Sequence, residues 1–222
     1  MSLSHSPSIV TNGLVLCLDA ANTESYPRTG SAWTDLSNNG NNATLINGPS
    51  FSSDNRGVLS FNGSNQNAQI ANNAAISLVN SSFTLSIWIN FIQGININTD
   101  TSFIHKWNGN GYTLQIFQGA LTTVLNGSVL KGTTLLTSNV WYNCVATYDR
   151  AFLTLYLNGR LENTKAETSS ANNSNNNLVF GGRSDSVQNT NCLIPAIQIY
   201  NRALTLQEVL QNYNANRSRF GL

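Results

Sequence analysis

Between residues 83 and 91 the chain reads Phe-Thr-Leu-Ser-Ile-Trp-Ile-Asn-Phe, with an apolar side chain at every second position. Phe83, Leu85, Ile87, Ile89 and Phe91 fall on one face, and Thr84, Ser86, Trp88 and Asn90 on the other. That is the period of a strand with one face in a core. Trp88 is the exception on the polar face, so a loop, the terminal helix or another subunit must cover it. Similar runs, punctuated by Gly and Asn at intervals of about 8 to 12 residues, predict further strands. They are Leu14–Asp19, Ala43–Ile46, Val58–Asn62, Ala68–Ile70, Ser102–Lys106, Tyr112–Phe117, Leu121–Leu125, Val140–Tyr148, Phe152–Leu157, Leu178–Phe180 and Ala196–Tyr200. Asp149-Arg150-Ala151 reads as a short hairpin loop, with the Asp149 carboxylate on nearby backbone N–H groups.

One helix is predicted, near the C-terminus. Thr205-Leu-Gln-Glu208 is a capping box, Leu204 and Val209 can close a hydrophobic staple, and Leu206, Val209, Leu210 and Tyr213 form an apolar stripe. A dozen strands and one short helix predict an all-β fold, a two-sheet antiparallel sandwich. No linker is long enough to divide residues 13–222, which read as one module preceded by an N-terminal arm at 1–12. Residues 169–177 are polar and low in complexity, an expected exposed loop.

Composition narrows the function. Only 21 of 222 residues are charged, with a net charge of +1. Asn, Ser and Thr supply 80 positions, so neutral amides and hydroxyls must wet much of the surface. Such a chain lacks the basic field that holds nucleic acid or an anionic membrane. No apolar run reaches the roughly 18 to 20 residues of a membrane-spanning helix. The first residues show neither a basic nor an apolar signal region, so synthesis in a cytoplasm is expected. Cys17, Cys144 and Cys192 are odd in number, far apart and set in apolar runs. They read as reduced, buried small hydrophobes rather than metal ligands.

Phe83–Ile89, Trp141-Tyr-Asn-Cys-Val-Ala-Thr-Tyr-Asp149, Leu153-Thr-Leu-Tyr-Leu-Asn-Gly159 and Ile199–Glu208 resemble the laminin-G-like jelly rolls of the concanavalin A-like superfamily. The resemblance spans about residues 12 to 215 and implies that fold. The two ends, Gly13–Ala20 with Trp33–Asn42 and Asn212–Leu222, are similar to modules of tailed-bacteriophage virion proteins. That likeness implies a structural or adhesive role on a particle, and a non-catalytic virion surface component, a capsid decoration (cement) protein, is the reading expected. Its partners would be the major capsid protein or other virion proteins, and a homo-oligomer, most simply a trimer, would match local capsid symmetry.

The alternative is a carbohydrate-binding adhesin or tail-associated receptor-binding module. A glycan would stack on Trp33, Trp107 or Tyr112, aromatics set among turn residues. A glycoside hydrolase of the same superfamily ranks last. Retaining hydrolysis needs two carboxylates about 5 to 5.5 Å apart, and no two of the ten acids stand two or four residues apart. Glu162 and Glu167, five residues apart, read as lying in a polar connection. His105 reads as a structural strand histidine. No catalytic residue and no cofactor is expected. Calcium, which the resemblance brings in, finds only Asp19, Asp35 and Asp149, each with a turn or cap role of its own.

Overall fold

The computed structural model describes residues 7–92, 100–171, 174–183 and 188–222. The strands are β1 Leu14–Asp19, β2 Ala32–Trp33, β3 Ala43–Ile46, β4 Ser50–Ser52, β5 Val58–Asn62, β6 Asn67–Ile70, β7 Phe83–Phe91 and β8 Thr101–Trp107. There follow β9 Gly111–Phe117, β10 Ala120–Leu125, β11 Ser128–Leu135, β12 Trp141–Tyr148, β13 Phe152–Leu157, β14 Arg160–Ala166, β15 Leu178–Phe180 and β16 Asn191–Tyr200. Among the described residues there are also two α-helices, α1 Ala74–Ser77 and α2 Leu206–Asn216, and two short 3-10 turns at Asp54–Arg56 and Arg217–Phe220. The first sheet runs β14-β13-β12-β7-β16-β5-β4, with β1 also paired to β16. The second runs β11-β10-β9-β8-β15-β6-β3-β2, and the pairings throughout are antiparallel. The inner faces share one core, in which Phe83, Leu85, Ile87 and Ile89 of β7 meet Phe103, Tyr112, Leu114 and Ile116 of the second sheet.

Four strands lie beyond those predicted: β2, β4, β11 and β14. Two of them are very short. The other two are sheet edges whose exposed positions carry no apolar alternation. β14, Arg-Leu-Glu-Asn-Thr-Lys-Ala, occupies the stretch expected as a polar connection, so Glu162 sits on an edge strand. Its side chains join the sandwich along one side. Glu162 Oε2 accepts from the backbone N–H groups of Thr133 (3.1 Å) and Thr134 (3.0 Å), and Asn163 Nδ2 donates to the Lys131 carbonyl (2.8 Å). Edge groups that would otherwise invite another chain are thereby satisfied. β16 starts five residues before the predicted Ala196, because a register shift between Leu193 and Ala196 accommodates Pro195.

The outer face of the first sheet is covered by α2 and the chain end. Tyr213 stacks on Trp88 with ring centroids 5.6 Å apart, and Phe220 lies on its indole at 4.4 Å. The terminal segment is thus what hides the tryptophan on the polar side of β7. Arg219 fixes that segment through an ion pair with Asp19 (2.9 Å) and a bond to the Asn55 carbonyl. The stripe expected on α2 is corrected: Leu206 and Leu210 are 51% and 43% exposed, and the buried positions are Val209 and Asn212. Asn212 belongs inside because it bonds the Tyr200 hydroxyl and the Val10 N–H, both at 2.8–2.9 Å. Residues 8–12, read as an arm, lie along the chain's own α2, with Gln211 Nε2 on the Ser8 carbonyl (2.8 Å).

The three cysteines are buried and unpaired, and burial raises their thiols, Cys17 to about 12. The capping box forms as predicted: the Glu208 N–H donates to Thr205 Oγ1 (3.3 Å) and the Thr205 N–H to Glu208 Oε2 (2.9 Å). Thr205→Ala should therefore cost about 0.5 to 2 kcal/mol. A lowered denaturant midpoint at unchanged slope is the expected result; an unmoved midpoint would show that the cap contributes nothing.

Candidate functional site

β8 and β9 position the site, on the outer face of the second sheet. In β9, Tyr112, Leu114 and Ile116 point into the core, so Thr113 and Gln115 point out. Residues directly opposite across an antiparallel pair share a face. His105 pairs with Thr113, and Ser102 with Gln115, so both point outward. Residues three apart normally lie on opposite faces of a strand. Here the register shifts between Ser102 and Ile104, so Phe103 and Ile104 both enter the core.

The outer face then carries a cavity of about 220 Å³, lined by Asp100, Ser102, His105, Trp107, Thr113, Gln115, Val124, Arg183 and Gln188. Trp107 is half-buried at its rim. Arg183 Nη1 donates to Gln188 Oε1 (3.1 Å), and the Thr113 hydroxyl to Gln115 Oε1 (3.1 Å). Ser102 is 1% exposed, and its hydroxyl has no hydrogen-bond partner among the described residues. Burial raises the Asp100 carboxyl above its ordinary value. A donor-acceptor hydroxyl at the floor, amides at the sides and an indole at the rim suit a neutral, hydroxyl-rich ring. The volume lies below the roughly 300–1,000 Å³ of whole-ligand clefts, and fits one such unit.

Of the three aromatics predicted for stacking, only Trp107 reaches the surface. Tyr112 is fully buried, paired with Lys106 on the inner face; its hydroxyl donates to the Ile76 carbonyl (2.6 Å) and its ring packs on Phe83. Trp107 pairs instead with Gly111, so the two ends of this hairpin face opposite ways. Gly111 has φ +111°, and a Cβ there would lie 2.1 Å from the Lys106 carbonyl oxygen. Trp33 is also fully buried, in the two-residue β2. Ser102, Gln115, Arg183 and Gln188 were not singled out from sequence, where nothing marks the register shift that groups them.

Lys106 supports the site from behind. It is 1% exposed, and its Nζ donates to Asn72 Oδ1 (2.6 Å) and to the carbonyls of Ser174 (2.7 Å) and Asn176 (2.8 Å). Asn176 Nδ2 in turn donates to the Trp107 carbonyl (2.8 Å). A larger open groove of about 750 Å³ beside α1 has no aromatic lining, and two of its amides are spent: Asn73 caps α1 and Asn72 holds Lys106. The carboxylates weighed for calcium are also engaged. Asp35 takes the N–H groups of Cys17, Ser37 and Asn41, and Asp149 those of Ala151 and Phe152. Among the described residues, no three of His, Cys, Asp or Glu converge on a metal position.

The architecture is that of a two-sheet jelly roll with a small binding-type pocket on one outer face. The chain belongs to the concanavalin A-like lectin/glucanases superfamily, whose laminin-G-type family matches residues 62–210. The binding domain of Paraclostridial Mosquitocidal Protein 1 superposes with a TM-score of 0.75 at 21% identity, over 92% of this chain and 52% of its own. Botulinum neurotoxin type C, whose cell entry depends on interaction with two ganglioside molecules, gives 0.74 at 16% identity, over 93% and 52%. The binding domain of botulinum neurotoxin DC in complex with SialylT gives 0.73 at 16%, over 92% and 52%. At these identities the likeness is one of fold, and this chain spans about half the length of each. No curated protein matches the sequence.

Lys106 generates a pH prediction. Burial lowers its ammonium from 10.5 to about 8. Between those values the unfolded chain holds more protons than the native one, so this group makes stability rise with pH across that window. The rise is at most about 3 kcal/mol, from 1.36 kcal/mol per unit. In Lys106→Met the increment in unfolding free energy between pH 8 and 10.5, measured against wild type in urea, should vanish. Parallel curves for the two proteins would contradict the burial of a titrating amine.

Proposed function

We propose that this chain is a non-catalytic carbohydrate-binding module, with one sugar unit of a glycan seated on the outer face of the second sheet. The observation that carries this reading is the buried Ser102 hydroxyl, unpartnered among the described residues, in a one-ring cavity rimmed by half-buried Trp107. A sugar ring stacks its C–H face on the indole, and its hydroxyls pair with Ser102 and Gln115. The toxins of like fold support a recognition role, one being described with two ganglioside molecules and another in complex with SialylT. The adhesin reading, second on sequence, therefore moves ahead of the capsid decoration protein. Virion partners, an oligomer and a virion location rest on the likeness of the chain ends alone.

The acid inventory supports binding without turnover. Asp100 is the one carboxylate lining the cavity among the described residues, and Asp185 lies outside them. Glu162 is engaged by Thr133 and Thr134. Glu167 is held down to about 2 by hydrogen bonds from Ser128 and Ser169, the wrong direction for a general acid.

A glycan array followed by calorimetry tests the reading. Trp107→Ala should weaken the selected glycan by about tenfold or more, because the stacking face is gone. Ser102→Ala should cut affinity about fivefold, one hydrogen bond of about 1 kcal/mol, without loss of stability, since it removes a hydroxyl that has no partner among the described residues. Absence of binding across the array, or binding indifferent to Trp107→Ala, would defeat it. Incubation with the bound glycan should release no reducing ends; release would reinstate hydrolysis.

A further inference from the structure

A second cleft, of about 510 Å³, lies on the other side of the sandwich, between α2 and the edge strands β11 and β14. One wall is apolar: Leu157, Leu210 and the ring of Tyr213, which is fixed by its stack on Trp88. The β13–β14 turn, Asn158 and Gly159 at φ +51° and +75°, packs so tightly on that wall that a Cβ at residue 159 would lie 3.1 Å from Leu210. The cleft is therefore a built shape rather than a gap between loose side chains.

Its polar groups divide into spent and unspent. Glu162, the one carboxylate lining it among the described residues, takes the N–H groups and hydroxyls of Thr133 and Thr134. Asn158 accepts from the Asn143 N–H (2.8 Å). By contrast, Arg160 and Arg217 line the cleft with no hydrogen bond or ion pair to their guanidinium groups among the described residues, and the Tyr213 hydroxyl likewise has no partner. A single exposed arginine is merely solvated. Two in one cleft, with a phenol and an apolar wall, present mostly donors, the phenol oxygen being able to accept as well.

We infer that this cleft binds a ring-borne carboxylate, the chemistry of an acidic sugar unit. The planar guanidinium fork matches a carboxylate bidentately, and the apolar wall takes the ring. The site stands apart from Trp107 and does not depend on the carbohydrate reading of that face.

The test is an amide-resolved NMR titration of the full chain with glucuronate, glucose and inorganic phosphate. Glucuronate should shift the amides of residues 157–162 and 210–217, and glucose should leave them unmoved. Arg160→Gln and Arg217→Gln should each weaken glucuronate about tenfold, the loss of a charge-assisted pair, with an unchanged melting temperature because both side chains are exposed. Trp107→Ala should leave glucuronate binding intact, which separates this site from the outer-face one. Three outcomes would overturn the inference: equal response to glucuronate and glucose, full binding in the double arginine variant, or phosphate matching glucuronate at the same amides.

Discussion

A strand obliges successive side chains to face opposite ways, and the second sheet escapes that rule at one point in β8. The shift between Ser102 and Ile104 lets Phe103 and Ile104 fill the core together while Ser102 and His105 both reach the outer face. Without the shift, Ser102 and His105 could not line one cavity, since an odd separation would send one of them inward. The cavity also needs Trp107 outward, and that follows from parity with His105. Placement of the indole, the hydroxyl and the imidazole on one face is thus one geometric fact. Ser102 is held there by its backbone, its N–H donating to the Gln188 carbonyl (3.2 Å) and its carbonyl accepting from Thr190 Oγ1 (2.8 Å), while its hydroxyl has no partner among the described residues.

The inner strands were legible because burial on one face imprints a period of two on the sequence. β7 was bounded without error at Phe83–Phe91, as were β1, β3, β5, β13 and β15. Edge strands carry no such imprint. β14 alternates nothing that water would notice, and its register is held by Glu162, Asn163 and Lys165 reaching across to β11. The aromatic trio shows the same limit. Parity alone separates Trp107 from Tyr112, but only once the hairpin register is known. Lys106 hides that register, because a lysine inside a strand reads as an outward position and here points in.

Composition also takes on a different meaning in the folded chain. Neutral polar residues were expected to wet the surface, yet Asn41, Asn67, Asn90, Asn143 and Asn212 are buried. Asn212 joins α2 to Tyr200 and Val10; Asn41 Nδ2 closes on the Val15 carbonyl (2.7 Å). Amides supply both donor and acceptor without the desolvation cost of an ion, so they can stitch loops to a sandwich that has few charges to spend. Lys106 is the sole buried ammonium among the described residues, and neutral oxygens, rather than a carboxylate, receive it.

That economy bears on recognition. A chain that satisfies its interior with amides has little need of charge for stability, so unspent charge stands out. At the outer-face cavity the hydroxyl unpaired among the described residues is neutral and lies near an indole, and on the proposed reading selection there would rest on hydrogen-bond geometry and stacking, which salt scarcely screens. At the α2 cleft two guanidiniums and a phenol are unpaired among the described residues, and on the proposed reading selection there would rest on charge. The core separates the two surfaces, and each is anchored by different elements: the β8–β9 hairpin and the 174–177 loop on one side, α2 and the β13–β14 turn on the other. The chain-end aromatics join them indirectly. Tyr213 forms a wall of the cleft and is stacked on Trp88, so the covering of one awkward tryptophan also shapes that cleft.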